Sequence, residues 1–272
     1  MDSFAHTDAA QDSLRRQSPP HAGQEPCFIA PQSAQPGAPA LRILPPASPH
    51  GQGQALQRVR RIVTRSGGGF RGKFPSRKLG RMVHYQSLLE RDAILHLEYH
   101  PAVLVYQEQP SQETYYDAEQ SARSYFPDFL AVLVGTAEFN IEAKPHAKLQ
   151  TPKVRDKLGR VAQRMAEMGR TFRVWTQHEI RREPLFTHLR RLHELRRPSP
   201  YAAAISSLVQ AARVEASSFE LGELVERFGS ETEVLRLLAH GVFQTNLEQA
   251  LAPTSRVWTQ WNQENLDGAF SL

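Results

Sequence analysis

The sequence holds a single cysteine, Cys27, among its 272 residues. One thiol excludes intramolecular disulfides and zinc sites built from several cysteines. Long hydrophobic runs are also missing. The longest apolar stretches, such as 129–134, fall far short of the roughly 20 residues that a bilayer-spanning helix needs. The opening residues, MDSFAHTDAAQDS, lack a basic patch followed by an apolar core. No signal peptide is expected, and the cytoplasm is the simplest location. A third absence is local: no acidic residue occurs in 56–82.

What is present points to a folded chain with an unequal distribution of core-forming residues. Hydrophobic residues make up 40% of the chain, enough for a core, while the mean hydropathy of -0.49 says the core does not extend everywhere. The net charge of +5 permits nucleic-acid binding without demonstrating it. Residues 1–55 are rich in Pro, Gln, Ala and Ser and lack apolar periodicity, which predicts a disordered tail. Residues 56–82 carry Arg58, Arg60, Arg61, Arg65, Arg71, Lys73, Arg77, Lys78 and Arg81, with glycines in the middle. Two readings fit this stretch: a solvated basic linker, or an arm lying along phosphates, where each cation displaces a condensed counterion.

Residues 83–198 read as a compact α/β unit with a mixed sheet flanked by helices. YQSLLERDAILHLEYH spaces Leu88, Leu89, Ala93, Ile94 and Leu97 as a helix does, and Pro101 closes it. Strands are expected at 102–110, 113–118, 124–134, 137–144 and 170–176, the third and fourth joined across Gly135. Helices are expected at 151–169 and 184–195. The last part, 199–272, reads as mostly helical, with a helix, a glycine turn, a helix and a short strand in 218–247. A winged-helix-like segment and a plain helical bundle both fit. Arg227 and Arg236 sit among Glu220, Glu223, Glu226, Glu231 and Glu233, which favours protein contacts over DNA reading.

The chemistry concentrates in SYFPDFLAVLVGTAEFNIEAKPHAKL, residues 124–149. Side chains alternate across a strand. Glu138, Asn140, Glu142 and Lys144 therefore share one face, and Asp128 shares a face with Phe126 and Leu130. A hairpin centred on Gly135 sets position 128 opposite 142, provided no bulge intervenes. Two carboxylates and an ammonium then converge. Close carboxylates repel unless neutralised, and a hard divalent cation with oxygen ligands does this. Such an ion activates water and polarises a phosphoryl oxygen, and a lysine stabilises the charge that develops. Phosphodiester hydrolysis needs this equipment. The bland alternative is an ion pair on a solvated sheet face with Asp128 in a turn.

PDFL followed by EAK resembles the PD-(D/E)xK nuclease signature of the restriction-endonuclease-like fold. The ordered series GKFPSRKLGRMVHYQSLLERDAILHLEYHPAVLVYQEQP, YFPDFL, IEAK, a lysine-bearing helix and RVWTQHEIR resembles the TnsA family, the endonuclease subunits of heteromeric transposases of Tn-seven-like transposons. The similarity spans roughly residues 70–195. The resemblance implies a catalytic acid at Glu90, a strand aspartate at Asp128 and the E-x-K pair at Glu142 and Lys144. It implies Mg²⁺ or Mn²⁺ held by Asp128, Glu142 and Glu90, and puts Gln109 near the site. Some members carry glutamine at the position of Glu142. The implied activity is cleavage of one strand at the transposon ends, with a DDE-type transposase and an AAA+ ATPase regulator as partners. The C-terminal region would contact the regulator. On the arm reading, which rests on charge alone, Arg58, Arg60, Arg61, Arg65, Arg71 and Lys73 would contact duplex DNA. A stand-alone restriction-like or junction-resolving nuclease and a non-catalytic DNA-binding adaptor are the other two readings. Glu98, near the helix end, is expected to be solvated or to cap the helix. His84, His96, His146 and His178 are expected to be structural or exposed.

Overall fold

The computed structural model describes residues 70–135, 137–196, 218–258 and 272. The expected tail 1–55, Arg58, Arg60, Arg61 and Arg65 lie outside the described residues. In chain order the elements begin with β1 (Gly72–Ser76), β2 (Arg81–Tyr85), α1 (Leu88–Tyr99), β3 (Val103–Glu108), β4 (Glu113–Tyr116), β5 (Ala122–Tyr125), β6 (Phe129–Leu133) and β7 (Glu138–Ala143). They continue with α2 (His146–Leu149), α3 (Pro152–Glu167), β8 (Thr171–Trp175), α4 (Gln177–Ile180) and α5 (Leu185–Leu195). The C-terminal part comprises β9 (Ser218–Glu220), α6 (Leu221–Phe228), α7 (Glu231–Ala239), β10 (Gln244–Thr245) and β11 (Arg256–Trp258).

The main sheet has the strand order β3-β6-β7-β8. The β3/β6 and β6/β7 pairs are antiparallel, and β7/β8 is parallel. A parallel pair needs a crossover, and α3 supplies it. The result is a mixed α/β fold with helices flanking a mixed sheet, as the sequence pattern predicts. One sheet face carries Phe129, Ala131, Phe139, Ile141 and Trp175 into the large core, with Ala93, Ile94 and Leu97 of α1. On the other face Phe172 and Val174 pack with Tyr125, Leu158, Val161 and Met165.

Helix α1 starts at Ser87, whose Oγ accepts from the Glu90 N–H at 3.1 Å. It stops at His100, because proline at 101 disfavours helical backbone in the residue before it. The helix is buried well beyond a single stripe: Asp92, His96 and Glu98 are enclosed along with its apolar residues. Buried polar groups need partners, and each has them. Asp92 pairs with Arg91 and Arg181, and His96 Nε2 lies 2.7 Å from the Ile180 carbonyl oxygen. Glu98 accepts from the Ser76 hydroxyl at 2.6 Å, the Tyr106 hydroxyl at 2.7 Å and the Arg77 and Lys78 N–H groups at 2.9 and 3.1 Å. It also pairs with Arg196 at 2.5 Å. The expectation of a solvated or capping Glu98 is thereby corrected. Long-range partners from β1, β3 and the end of α5 enclose it, and spacing along α1 cannot reveal them.

Two further departures have local causes. Residues 72–82, inside the stretch read as an arm or linker, form an ordered hairpin with 83–85. Phe74, Ser76 and Val83 turn inward and are buried. Lys78 lies in its turn, and its ammonium donates to the Leu97 and His100 carbonyls at 2.8 and 2.7 Å. The single strand expected at 124–134 is two strands. β5 pairs with β4, β6 pairs with β3 and β7, and Phe126, Pro127 and Asp128 separate them. Pro127 has no N–H for a ladder, so the break falls there.

In the C-terminal part, α6 and α7 meet at Gly229, whose φ of 81° needs a residue without a Cβ. A three-stranded antiparallel sheet in the order β10-β11-β9 completes it. Leu224, Val234, Leu235, Phe243 and Val257 belong to the same apolar cluster as Leu189 of α5. No helix among the described residues is long and apolar enough to cross a membrane.

Candidate active site

The site grows from the β6/β7 register. Phe129 pairs with Ile141 and Leu130 with Asn140, so the pairing is centred on Gly135 and runs on to set Asp128 against Glu142. The sheet's one irregularity, between Val103 and Val105, falls on the other side of β6 and leaves this register intact. The Ala143 N–H donates to Asp128 Oδ2 at 2.9 Å, which ties the aspartate to the end of β7. The Lys144 N–H donates to the Trp175 carbonyl at 2.9 Å, which ties the next residue to β8.

Glu142 is buried, with both oxygens engaged. Its Oε1 lies 2.7 Å from Lys144 Nζ, and its Oε2 accepts from the Tyr125 hydroxyl at 2.6 Å. Glu90 arrives from the first turn of α1. Its Oε2 accepts from the Gln86 N–H at 2.7 Å and its Oε1 from the Ser87 hydroxyl at 3.1 Å. This acid thus closes a capping arrangement at the helix start while facing the other charges.

These groups act on one another electrostatically. Burial, then Glu142 and Glu90, push the Asp128 carboxyl well above the ordinary aspartate range. Burial also raises Glu90; the Gln86 and Ser87 hydrogen bonds oppose it, and Glu142 adds to it. Burial alone would lower Lys144, but Glu142, Asp128 and Glu90 outweigh it and hold the ammonium charged. Tyr125 is pushed far up by burial and by Glu142, so it stays a hydrogen-bond donor. Three carboxyl groups thus face one ammonium, and Asp128 is held toward its neutral form.

Among the described residues, no group of three or more His, Cys, Asp or Glu is arranged as a ready metal cage. The donor chemistry nonetheless suits a hard cation. Asp128 uses one oxygen on Ala143 and is destabilised as an anion by its neighbours, and a bound divalent ion relieves that repulsion.

The structure therefore brings together Glu90, Asp128, Glu142 and Lys144. It places Arg71 just before β1 and Lys73 on its exposed side. Further residues also converge, Tyr125 among them without having been singled out by sequence. Tyr125 fixes Glu142. Gln109 has φ 45°, uncommon outside glycine; its N–H donates to the Asp128 carbonyl at 2.9 Å, and its buried Oε1 has no hydrogen-bond partner among the described residues. His146 and His178, both unassigned by spacing, meet edge to face with ring centroids 5.0 Å apart beyond the ends of β7 and β8. The fragment YFPD carries the signal for Tyr125, since the tyrosine immediately precedes the break that delivers Asp128.

No curated protein matches the sequence significantly. Residues 100–177, which contain β3 to β8, Asp128, Glu142 and Lys144, match the family model described as TnsA-like endonuclease N terminal, so this segment is similar to TnsA-like endonucleases.

Proposed function

We propose that the protein is a metal-dependent DNA endonuclease subunit of a heteromeric transposase, cutting one strand at the transposon ends by phosphodiester hydrolysis. The convergence of Asp128, Glu142 and Lys144 inside the TnsA-like segment carries this reading. The same proposal takes the main sheet as restriction-endonuclease-like with a PD-(D/E)xK site, and 199–272 as a winged-helix-like partner-binding part. A DDE-type transposase, an AAA+ ATPase regulator, transposon-end DNA and a cytoplasmic location complete it.

Asp128 and Glu142 would hold Mg²⁺ or Mn²⁺, with Glu90 joining directly or through water. When bound, the ion lowers the pKa of a coordinated water and polarises a phosphoryl oxygen. The chain's own residues do the rest. Tyr125 holds Glu142 in a single orientation by its short hydrogen bond. The Ala143 N–H aims Asp128. Lys144 keeps its proton and sits half-buried beside Glu142. Its ammonium is placed to meet the charge growing on the scissile phosphate. Glu90 fixes the start of α1 against the same cluster.

The test is cleavage of end-bearing duplex by Asp128→Ala, with partner subunits and Mg²⁺ present. The fold should persist, because the substitution removes a repelling charge, and cutting should disappear. Full activity of that variant would sink the assignment.

A further inference from the structure

Helix α3 carries cations in a pattern the catalytic site does not use. Lys153, Lys157, Arg160 and Arg164 recur at i, i+4, i+7 and i+11. They form one stripe of about 16 Å along the helix. It runs beside the buried stripe of Leu158, Val161 and Met165, so packing of the helix fixes where the cations stand. Arg160 pairs with Asp156 at 2.9 Å and Arg164 with Glu167 at 3.2 Å, both in solvent, where such pairs contribute little. Lys153 and Lys157 are exposed and make no ion pair among the described residues.

The stripe is connected to the chemistry by a short chain of contacts. Lys157 Nζ lies 5.1 Å from the centroid of the Tyr125 ring. The Tyr125 hydroxyl donates to Glu142 Oε2 at 2.6 Å. One aromatic ring thus separates the middle of the stripe from the carboxylate that pairs with Lys144. A row of cations alone would suit any polyanion. A row passing one side chain from the cluster proposed to cleave phosphodiesters suits the polyanion that is cut.

We infer that the Lys153, Lys157, Arg160 and Arg164 stripe of α3 is a docking surface for the phosphate backbone of duplex DNA, leading the strand to Glu142 and Lys144. This rests on DNA being the substrate class of the proposed endonuclease. The contacts are with phosphates, so they position the duplex without reading its sequence.

The experiment uses the full chain and labelled duplex DNA, with binding measured at several salt concentrations. The double variant Lys153→Gln, Lys157→Gln keeps the side-chain stems and removes two charges. It should bind more weakly to duplexes of every sequence. Its slope of log K against log salt should fall by up to about 1.8, at about 0.9 for each lost phosphate contact. Lys153→Arg, Lys157→Arg should restore the slope, which separates charge from packing on Tyr125. Single-turnover cleavage at saturating DNA should be unchanged. An unchanged slope in a chain that still cuts overturns the stripe and spares the endonuclease. Loss of binding to a partner subunit with an unchanged slope also overturns it and gives the surface to a protein. A wild type that binds with a steep slope but never cuts removes the endonuclease reading, and a reduced slope in the double variant still supports the stripe.

Discussion

The surroundings of Asp128 hold it toward its neutral form, and that makes its ionisation unfavourable to folding. Its folded pKa is raised by burial, Glu142 and Glu90. The stability its neutral form contributes is present below the unfolded value of about 3.9 and is lost as pH rises through the folded value. Asp128→Asn should therefore melt higher than wild type at neutral pH without divalent ions, and the two should converge in acid. Adding Mg²⁺ should stabilise wild type, by about 2.7 kcal/mol at a hundredfold excess over Kd, and leave the variant nearly unmoved. Thermal melts across pH, with and without Mg²⁺, check both outcomes. For Lys144→Ala, single-turnover cleavage should fall by about 10²–10³ while DNA affinity holds, since its charge acts on the transition state. A large affinity loss at unchanged rate would make Lys144 a phosphate anchor. Alternation of side chains was sufficient to place Asp128 opposite Glu142, because the register depends only on the two strands and Gly135. The same logic could not reach Gln109 or Tyr125. Gln109 adopts φ 45° where β3 ends against Asp128, and glutamine gives no turn signal. Tyr125 belongs to the β4/β5 hairpin and meets Glu142 only in the folded chain.

At the scale of elements, periodicity located α1, α3, α5 and the strands of the main sheet, since each has a one-sided or strand-like apolar pattern. It missed the hairpin of β1 and β2. That segment looks like a charged linker because its structural partners, Glu98 and the end of α1, lie elsewhere in the chain. Burial lowers the Lys78 amine to about 7, with Glu98 opposing. Its unfolded value is about 10.4. Between those values the unfolded chain holds a proton that the folded chain has released, so this group makes stability rise with pH across that window. Lys78→Met should flatten that rise. Denaturant unfolding of both proteins at pH 7 and pH 10 measures it, and an equal rise in both would remove Lys78 as the source. Glu98→Ala should be worse at any pH, at about 3–5 kcal/mol, because it strands buried donors and the Arg196 charge.

Across the whole molecule, the apolar cluster does not stop where the nuclease-like pattern ends. Leu189 and Leu192 of α5 and Leu235 and Leu238 of α7 belong to one buried set. The sequence pattern divides the chain into 83–198 and 199–272 by the change from mixed α/β elements to mostly helical ones. Shared burial joins the described elements of both in one apolar cluster. Calorimetry of the full chain should show one transition for these elements, and a chain cut after 196 should melt lower and expose the apolar side of α5. Two well-separated transitions would contradict this.

Helix α1 is terminated electrically at both ends. The aligned peptide dipoles leave partial positive charge at its start and partial negative charge at its end. The Glu90 carboxylate sits at the first and the Lys78 ammonium at the second. Glu90 therefore has two claims on one charge: the Gln86 N–H and Ser87 hydroxyl at the helix start, and any cation held beside Asp128 and Glu142. What the cation takes, the helix start loses. Amide exchange at Gln86 and in the first turn of α1 should quicken when Mg²⁺ is added, and should stay constant in Asp128→Asn. The start of a helix far from Asp128 in the chain would then report occupancy of the site without a single bond being cut.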